Sequence, residues 1–421
     1  MVNLDPSAPT SRSTPATFAG VLGLDPDLLN ACVSCGLCLP HCPTYRSTEE
    51  ESASPRGRIT MMRAVESGEL AIDEDFVTFM ERCVMCRGCE TACPSGVQFG
   101  ALMEQTRVAL ADQGKIRVPL LMRVGLRVLE HHRLLSFGSS LLGRAQSVGL
   151  IPQRLRRRTG LPEVIPVRNE RIPTSSPDSA DVWLFTGCVM DVWQRDVHIA
   201  TKAVLELAGA KSVAVPLAGG DCCGALHLHV GRKADGVRLA AKVMSSMPGD
   251  APIVVNSAGC GAALKDYGHL LGTPEAHAFS KRVFDTQEWV AQHLDALPRI
   301  SDEDRLVVAI QDPCHLRHVQ KAHLATWRVL ERFVDVREIA DDGRCCGAGG
   351  SYSILQPELA QTIRVQKIAA ATATGALTVA SANPGCSLWL TNAPRGVGQP
   401  ELRFVHPMKI VVEALERSKH A

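Results

Sequence analysis

The sequence predicts an α/β protein with a separate α-helical module ahead of it, and three observations predict this. Two copies of one cysteine run, C-x₂-C-x₂-C-x₃-C-P, stand near the N-terminus: Cys32, Cys35, Cys38, Cys42 with Pro43, then Cys83, Cys86, Cys89, Cys93 with Pro94. The second half repeats itself. Cys188, the pair Cys222-Cys223 and Cys260 return as Cys314, the pair Cys345-Cys346 and Cys386, at offsets of 126, 123 and 126 residues. Through that half, short apolar runs alternate with helical patterns, as in parallel sheets covered by helices.

The N-terminal runs fix a class of chemistry. Three closely spaced thiolates wrap one cluster from a single tight loop, and the fourth, carried away by proline, reaches the other cluster. This is how two-cluster bacterial ferredoxins hold a pair of [4Fe–4S] clusters. By that rule Cys32, Cys35, Cys38 and Cys93 ligate one cluster, and Cys83, Cys86, Cys89 and Cys42 the second. Zinc needs only two paired knuckles in a tetrahedron, fewer cysteines than these runs supply. A disulfide framework suits short secreted chains. Residues 1–24, rich in Ser, Thr, Pro and Ala as far as Gly20, show neither the basic start nor the apolar run of a signal peptide. They are expected to form a disordered lead-in. Residues 25–105 are expected to form the two-[4Fe–4S] ferredoxin-type domain.

The chain has 421 residues, enough for two or three domains, and 45% of them are hydrophobic. Lys+Arg 45 against Asp+Glu 44 gives a net charge of +1, so no overall pull toward nucleic acid is expected. No apolar stretch has the length of a membrane span. A cytoplasmic, reducing location follows as an expectation, since thiolates stay available for metal there. One segment departs from this neutrality. Residues 101–160 hold eleven Lys/Arg against three acidic residues, mostly within a basic helical linker expected over 106–178. There Leu120, Leu121, Val124, Val128, Leu134 and Leu135 recur at helical spacing, with Arg123, Arg127 and Arg133 between them. Such a helix packs on its own protein with arginines in water, or lies peripherally on the inner face of an anionic membrane. Packing is the commoner use.

The repeat predicts two parallel-sheet domains, 179–300 and 301–421. Buried strands are expected at 182–185, 212–215, 253–255, 306–310 and 377–379, with helices at 198–207 and 359–371. Cysteines just past strand ends converge in the crevice where open α/β sheets bind ligands. Cys188, Cys222, Cys223, Cys260, Cys314, Cys345, Cys346 and Cys386 are therefore candidate metal ligands. A single such cysteine reads as core filler; eight in two matched copies do not. His227, His229, His315 and His318, beside a cluster, would tune its potential or relay protons; given how widely histidine is used, they read instead as satisfied polar groups or surface histidines. Residues 347–350 lack dinucleotide spacing, and their glycines are expected to let backbone approach a cluster sulfur. No flavin or nicotinamide fingerprint appears, so the chain carries electrons without oxidising an organic substrate itself.

The Cys-Cys-Gly pairs with distant flanking cysteines resemble the CCG domains of heterodisulfide-reductase-related proteins. A two-cluster module joined to two such domains resembles the iron–sulfur subunit of glycolate oxidase. The likeness runs from about Leu29 to Leu390 and includes Ser54-Pro-Arg-Gly-Arg58, Asp312-Pro-Cys-His315 and Arg344-Cys-Cys-Gly-Ala-Gly-Gly350. It implies an electron-transfer subunit of a flavin-dependent glycolate (2-hydroxy acid) oxidase. Electrons pass from FAD-containing partner subunits toward a quinone-type acceptor, and this chain has no catalytic residue of its own. Iron–sulfur subunits of lactate or anaerobic glycerol-3-phosphate dehydrogenases share the layout, and a CCG-cluster disulfide reductase is the third alternative. The chain departs from the fullest CCG pattern, which ends in C-x₂-C: Ala263 and Trp389 stand where a fifth cysteine belongs. A further iron–sulfur cluster, zinc, or neither stays open for each CCG domain.

Overall fold

The structure is a computed structural model and describes residues 20–152, 161–162, 164–167, 170–176, 180–301, 305–393 and 400–420. Most of the expected lead-in, residues 1–19, lies outside the described residues. Its last residues are ordered, because Leu22 and Leu24 are buried in the first core and Leu24 N–H donates to Glu66 Oε1 at 2.8 Å.

The N-terminal module is helical around its two cysteine loops. The Ser-Pro-Arg-Gly-Arg segment starts the helix Pro55–Glu66: Ser54 caps it by accepting from Gly57 N–H, and Pro55 opens it where no N–H is needed. Arg58 is fully buried and donates to the Phe79 carbonyl at 2.8 Å, and also to the Ala53 carbonyl and Thr44. It thereby braces the loop that carries Cys42. Asp73 caps Glu74–Glu81 through Phe76 N–H at 2.8 Å. The helix Phe99–Asp112 runs past the expected boundary at 105, because Leu110 still belongs to this module's core with Leu29, Met62, Phe76 and Leu102. Among the described residues the linker then forms the helices Leu120–Leu129 and His132–Ser147.

The two repeats have one topology. In the first, β1 (Val182–Phe185), β2 (Val213–Ala214), β3 (Ile253–Val255) and β4 (Val283–Asp285) form a parallel sheet in the order β2-β1-β3-β4. In the second, β5 (Val307–Gln311), β6 (Asp335–Glu338), β7 (Thr378–Ser381) and β8 (Arg403–Val405) follow as β6-β5-β7-β8. The central strands read as continuous apolar runs because helices cover both faces. One core spans both sheets, joining Leu184 and Val204 to Ile310, Phe333 and Met408.

A buried polar knot sits in this seam. Asn256, one residue past β3, accepts from Thr201 at 2.8 Å and Thr286 at 2.7 Å, and its amide lies 2.9 Å from His198 Nδ1. Its carbonyl accepts from His406 of the second repeat at 3.0 Å. Burial first of all pushes both imidazoles down, to about 3 for His198 and about 4 for His406, so both stay neutral near pH 7. Ala258 N–H donates to the Ala382 carbonyl at 3.0 Å, fixing the sheets end to end.

Candidate metal centres

The two ferredoxin-type loops share one backbone trace. The residue before the second cysteine and the residue after it are left-handed in both: Ser34 and Gly36 (φ 58 and 84), Met85 and Arg87 (φ 61 and 59). Such residues cost strain in most side chains, and they turn successive groups toward one point. The first loop's Cys32, Cys35 and Cys38, together with Cys89 and Cys93 from the second run, line one cavity of about 30 Å³. Burial pushes the Cys38 thiol up to about 11, reinforced by Cys32 and Cys42. Around Cys86 and Cys89, burial again raises the thiols well above the ordinary range, and neighbours including Cys42 and Cys83 add to it. Cys93 thus lies with the first loop's cysteines, and Cys42 neighbours Cys86 and Cys89 as well as Cys38.

All sixteen cysteines are free thiols. Buried thiols crowded in this way resist ionising one at a time. An iron–sulfur cluster takes them together as thiolates and releases their protons, so the donor sets fit such a group. Among the described residues no group of three or more His, Cys, Asp or Glu is drawn together as tightly as a single metal ion requires.

In each repeat the cysteines come from three strand ends. Cys188 follows β1, Cys222-Cys223 follow β2, and Cys260 sits in the helix Ala258–Lys265 after β3. Cys314 follows β5, Cys345-Cys346 follow β6, and Cys386 sits in Pro384–Thr391 after β7. Equivalent sulfurs touch in the two copies: Cys223 to Cys260 at 3.3 Å, Cys346 to Cys386 at 3.0 Å. The thiols share protons. Cys222 is lowered because Cys188 donates to it, and Cys188 is raised by the same bond. Both sets line one cavity of about 250 Å³ between the repeats, with His229 and His315 in its wall.

The glycine of each Cys-Cys-Gly has a definite task. Gly224 and Gly347 are left-handed (φ 79 and 85), and a Cβ on Gly347 would lie 2.7 Å from the Ala360 carbonyl oxygen. Only glycine turns the chain there without a clash. In residues 347–350, Gly347 N–H donates to Cys345 Sγ, with N and S 3.4 Å apart. At the fifth-cysteine position, Trp389 is buried with the Arg364 guanidinium 3.6 Å over its ring, whereas the half-buried Ala263 packs against the core of the first sheet.

The histidines set aside on sequence prove to be joints. His315 Nε2–H donates to the Met85 carbonyl at 3.1 Å, and His318 Nδ1 meets Thr91 Oγ1 at 2.9 Å. Val84 packs with Cys345, Cys346 and Tyr352, while Cys86 and Cys314 border that same cluster. The second ferredoxin loop is therefore seated on the second repeat. Arg107, which sequence reading passed over, ties it to the first: Nη1 donates to the His229 carbonyl at 2.8 Å and Nη2 to that of Cys83 at 2.7 Å. Glu130 of the linker was missed too. It is buried between His227, 3.0 Å away, and Arg238, 2.6 Å away, and His227 lies beside Cys222. Arg and Glu in helices carry no sequence signal that separates such braces from surface charge.

Comparison with known proteins agrees with this layout. Residues 28–97 match the family model of a 4Fe-4S dicluster domain, and residues 182–265 and 308–391 each match a cysteine-rich domain. The probable glycolate oxidase iron–sulfur subunit of Bacillus subtilis is 34% identical over 92% of this chain and 94% of its own length. The glycolate oxidase iron–sulfur subunit of Escherichia coli is 29% identical over 93% and 95%. One component of the dihydromethanophenazine:CoB–CoM heterodisulfide reductase of Methanosarcina mazei is 27% identical over 85% and 87%. With dicluster and paired cysteine-rich domains in the same order over nearly its whole length, the chain belongs to the family of glycolate oxidase iron–sulfur subunits.

Proposed function

We propose that the chain carries electrons, one at a time, from FAD-containing glycolate oxidase subunits toward a quinone-type acceptor, in peripheral contact with the inner face of a membrane. A reduced flavin yields two electrons, while iron–sulfur clusters, when bound, each accept one. On this reading Cys32, Cys35, Cys38 and Cys93 hold one [4Fe–4S] cluster and Cys83, Cys86, Cys89 and Cys42 the other. Cys188, Cys222, Cys223, Cys260, Cys314, Cys345, Cys346 and Cys386 bind further metal. The observation that carries the reading is the contact of Cys86 with the Cys314 and Cys345 surroundings, which makes the cysteine sets neighbours through the interior. At one end, Cys35 is exposed between Val33 and Leu37. That end suits a docking redox partner.

The test is iron, zinc and sulfide content of anaerobically purified protein, with EPR before and after dithionite. About eight irons per chain fit two loaded ferredoxin-type sites, and about twelve to sixteen add the CCG sites. Zinc alone overturns the proposal, as does glycolate oxidation by the isolated chain. The disulfide-reductase alternative draws on the cavity between the repeats. Rapid oxidation of the reduced chain by a disulfide would favour it.

A further inference from the structure

The linker helices Leu120–Leu129 and His132–Ser147 have two apolar sides, and the protein itself uses one. Inward, Leu126 and Leu135 are buried, and Val128 and Leu129 pack near Cys188, Val192 and Cys222. Trp193 Nε1–H donates to Ser139 Oγ at 2.9 Å on the same side. Of the residues whose helical spacing singled them out, Leu120, Leu121, Val124 and Leu134 point the other way. Together with Phe137 and Leu141 they are exposed, from 48% at Leu141 to 85% at Leu121.

Charge on this face has one sign. Arg123, Arg127, Arg133 and Arg144 are all exposed. Between Leu120 and Leu150 the sole acidic residue is Glu130, and it is buried against His227 and Arg238. Within residues 120–150 the outward surface is thus apolar and cationic, with no exposed carboxylate. Contiguous apolar patches on a folded surface mark interaction sites. A second copy of the chain would set arginines against arginines. The tryptophan and tyrosine anchors typical of protein hot spots are absent from the residues of this face. Aliphatic side chains with one phenylalanine, flanked by arginine, are what an in-plane helix sinks into the headgroup boundary of a bilayer.

We propose that this pair of helices docks the chain on an anionic lipid surface, with Leu120, Leu121, Val124, Leu134, Phe137 and Leu141 entering the acyl boundary and the four arginines among the headgroups. The proposal deepens the peripheral contact above and rests on that reading for its purpose. Docked in this way, the chain keeps Cys188 and Cys222, which pack with Leu135, behind the lipid-facing side.

The experiment is co-sedimentation of the full, iron-loaded chain with vesicles of phosphatidylglycerol and phosphatidylcholine, against vesicles of phosphatidylcholine alone. Binding is expected to be at least about tenfold greater on the anionic vesicles at low salt and to fall as salt rises. L121E/F137E, altered at two exposed positions, should lose binding while keeping its iron and EPR spectrum. R123Q/R127Q should weaken binding about fivefold per arginine and flatten the salt dependence. Failure of the wild type to bind anionic vesicles overturns the proposal, and so does unchanged binding by L121E/F137E. If the chain ignores vesicles and L121E/F137E instead fails to join its flavoprotein subunits, the face belongs to a protein and the lipid assignment is wrong. Iron, sulfide and EPR report on electron transfer separately, so either outcome here leaves that reading to stand or fall alone.

Discussion

His315 and Met85, distant in sequence, are joined by one hydrogen bond of 3.1 Å from Nε2–H to the carbonyl. Met85 lies between two cysteines of the second ferredoxin loop, and His315 directly follows Cys314 of the second repeat. The bond therefore spans the gap between two cysteine sets, and it holds a left-handed residue (φ 61) in place. Burial keeps the imidazole neutral, at about 4, so Nε2 carries its single proton toward the carbonyl.

H315A should leave the Met85 carbonyl unpaired at a cost of about 1–3 kcal/mol. It should also shift the reduction potential of the centre on that loop, read by EPR-monitored redox titration. H315Q offers an amide N–H at a similar reach and should restore most of the potential. If H315A lowers thermal stability without moving any potential, the residue is a structural tie alone.

Gly347 predicts a local failure. G347A places a methyl carbon 2.7 Å from the Ala360 carbonyl oxygen, inside van der Waals contact, in a backbone region that alanine resists. The left-handed conformation alone costs on the order of 1–3 kcal/mol, and the collision adds to it. The same substitution at Gly224 meets backbone of Gly236 at 3.2 Å and should be milder. Thermal unfolding and metal content of the two variants check the order. Equal losses would show that the close approach to Ala360 is not limiting.

The central strands were legible because each is buried on both faces and so reads as an apolar run; β1 and β3 lie where the runs placed them. Of the edge strands, β2 lies within its expected run, but β4, β6 and β8 were not legible. β6 is Asp-Val-Arg-Glu, largely exposed, and charge of this kind protects an edge from pairing while erasing its pattern. In the cysteine sets, spacing carried the information because neighbouring ligands lie close in sequence or at matched offsets. The joints between modules were illegible for the opposite reason. Arg107 with His229, or Glu130 with Arg238, depend on how three modules dock, which no local pattern encodes. The linker fell between these cases: its helical period was visible, but not that Leu126 rather than Leu121 would face inward.

A pH dependence follows from Glu104, on the ferredoxin-module helix facing the first repeat. Burial, reinforced by Asp266, raises its carboxyl to about 7, with Arg87 and Arg107 opposing. A carboxyl raised on folding binds more protons in the native than in the unfolded state between roughly pH 4.5 and 7. Stability from this group therefore declines as pH rises through that window and stays reduced above it. E104Q removes the penalty. Its advantage should grow from pH 5 to pH 8, by on the order of 2 kcal/mol. Thermal unfolding at the two pH values measures it; an advantage independent of pH would mean that Glu104 ionises freely in the fold.

The crossed pairing of cysteines gives the last prediction, and it turns on which variants resemble each other. Cys42 stands in the first run and adds to the rise of Cys38, yet it also helps to raise Cys86 and Cys89 of the second. Cys93 stands in the second run, yet it lines the cavity of Cys32, Cys35 and Cys38. If each run held its own cluster, C42S would damage the same centre as C35S. With the crossover, C42S should instead reproduce the EPR change of C86S, and C93S that of C35S. Serine is a harder, poorer ligand than a soft thiolate for iron–sulfur clusters, so each substitution should weaken or alter one reduced signal and leave the other. Both outcomes are readable on the same four proteins, because grouping by run and grouping by cavity sort them into different pairs.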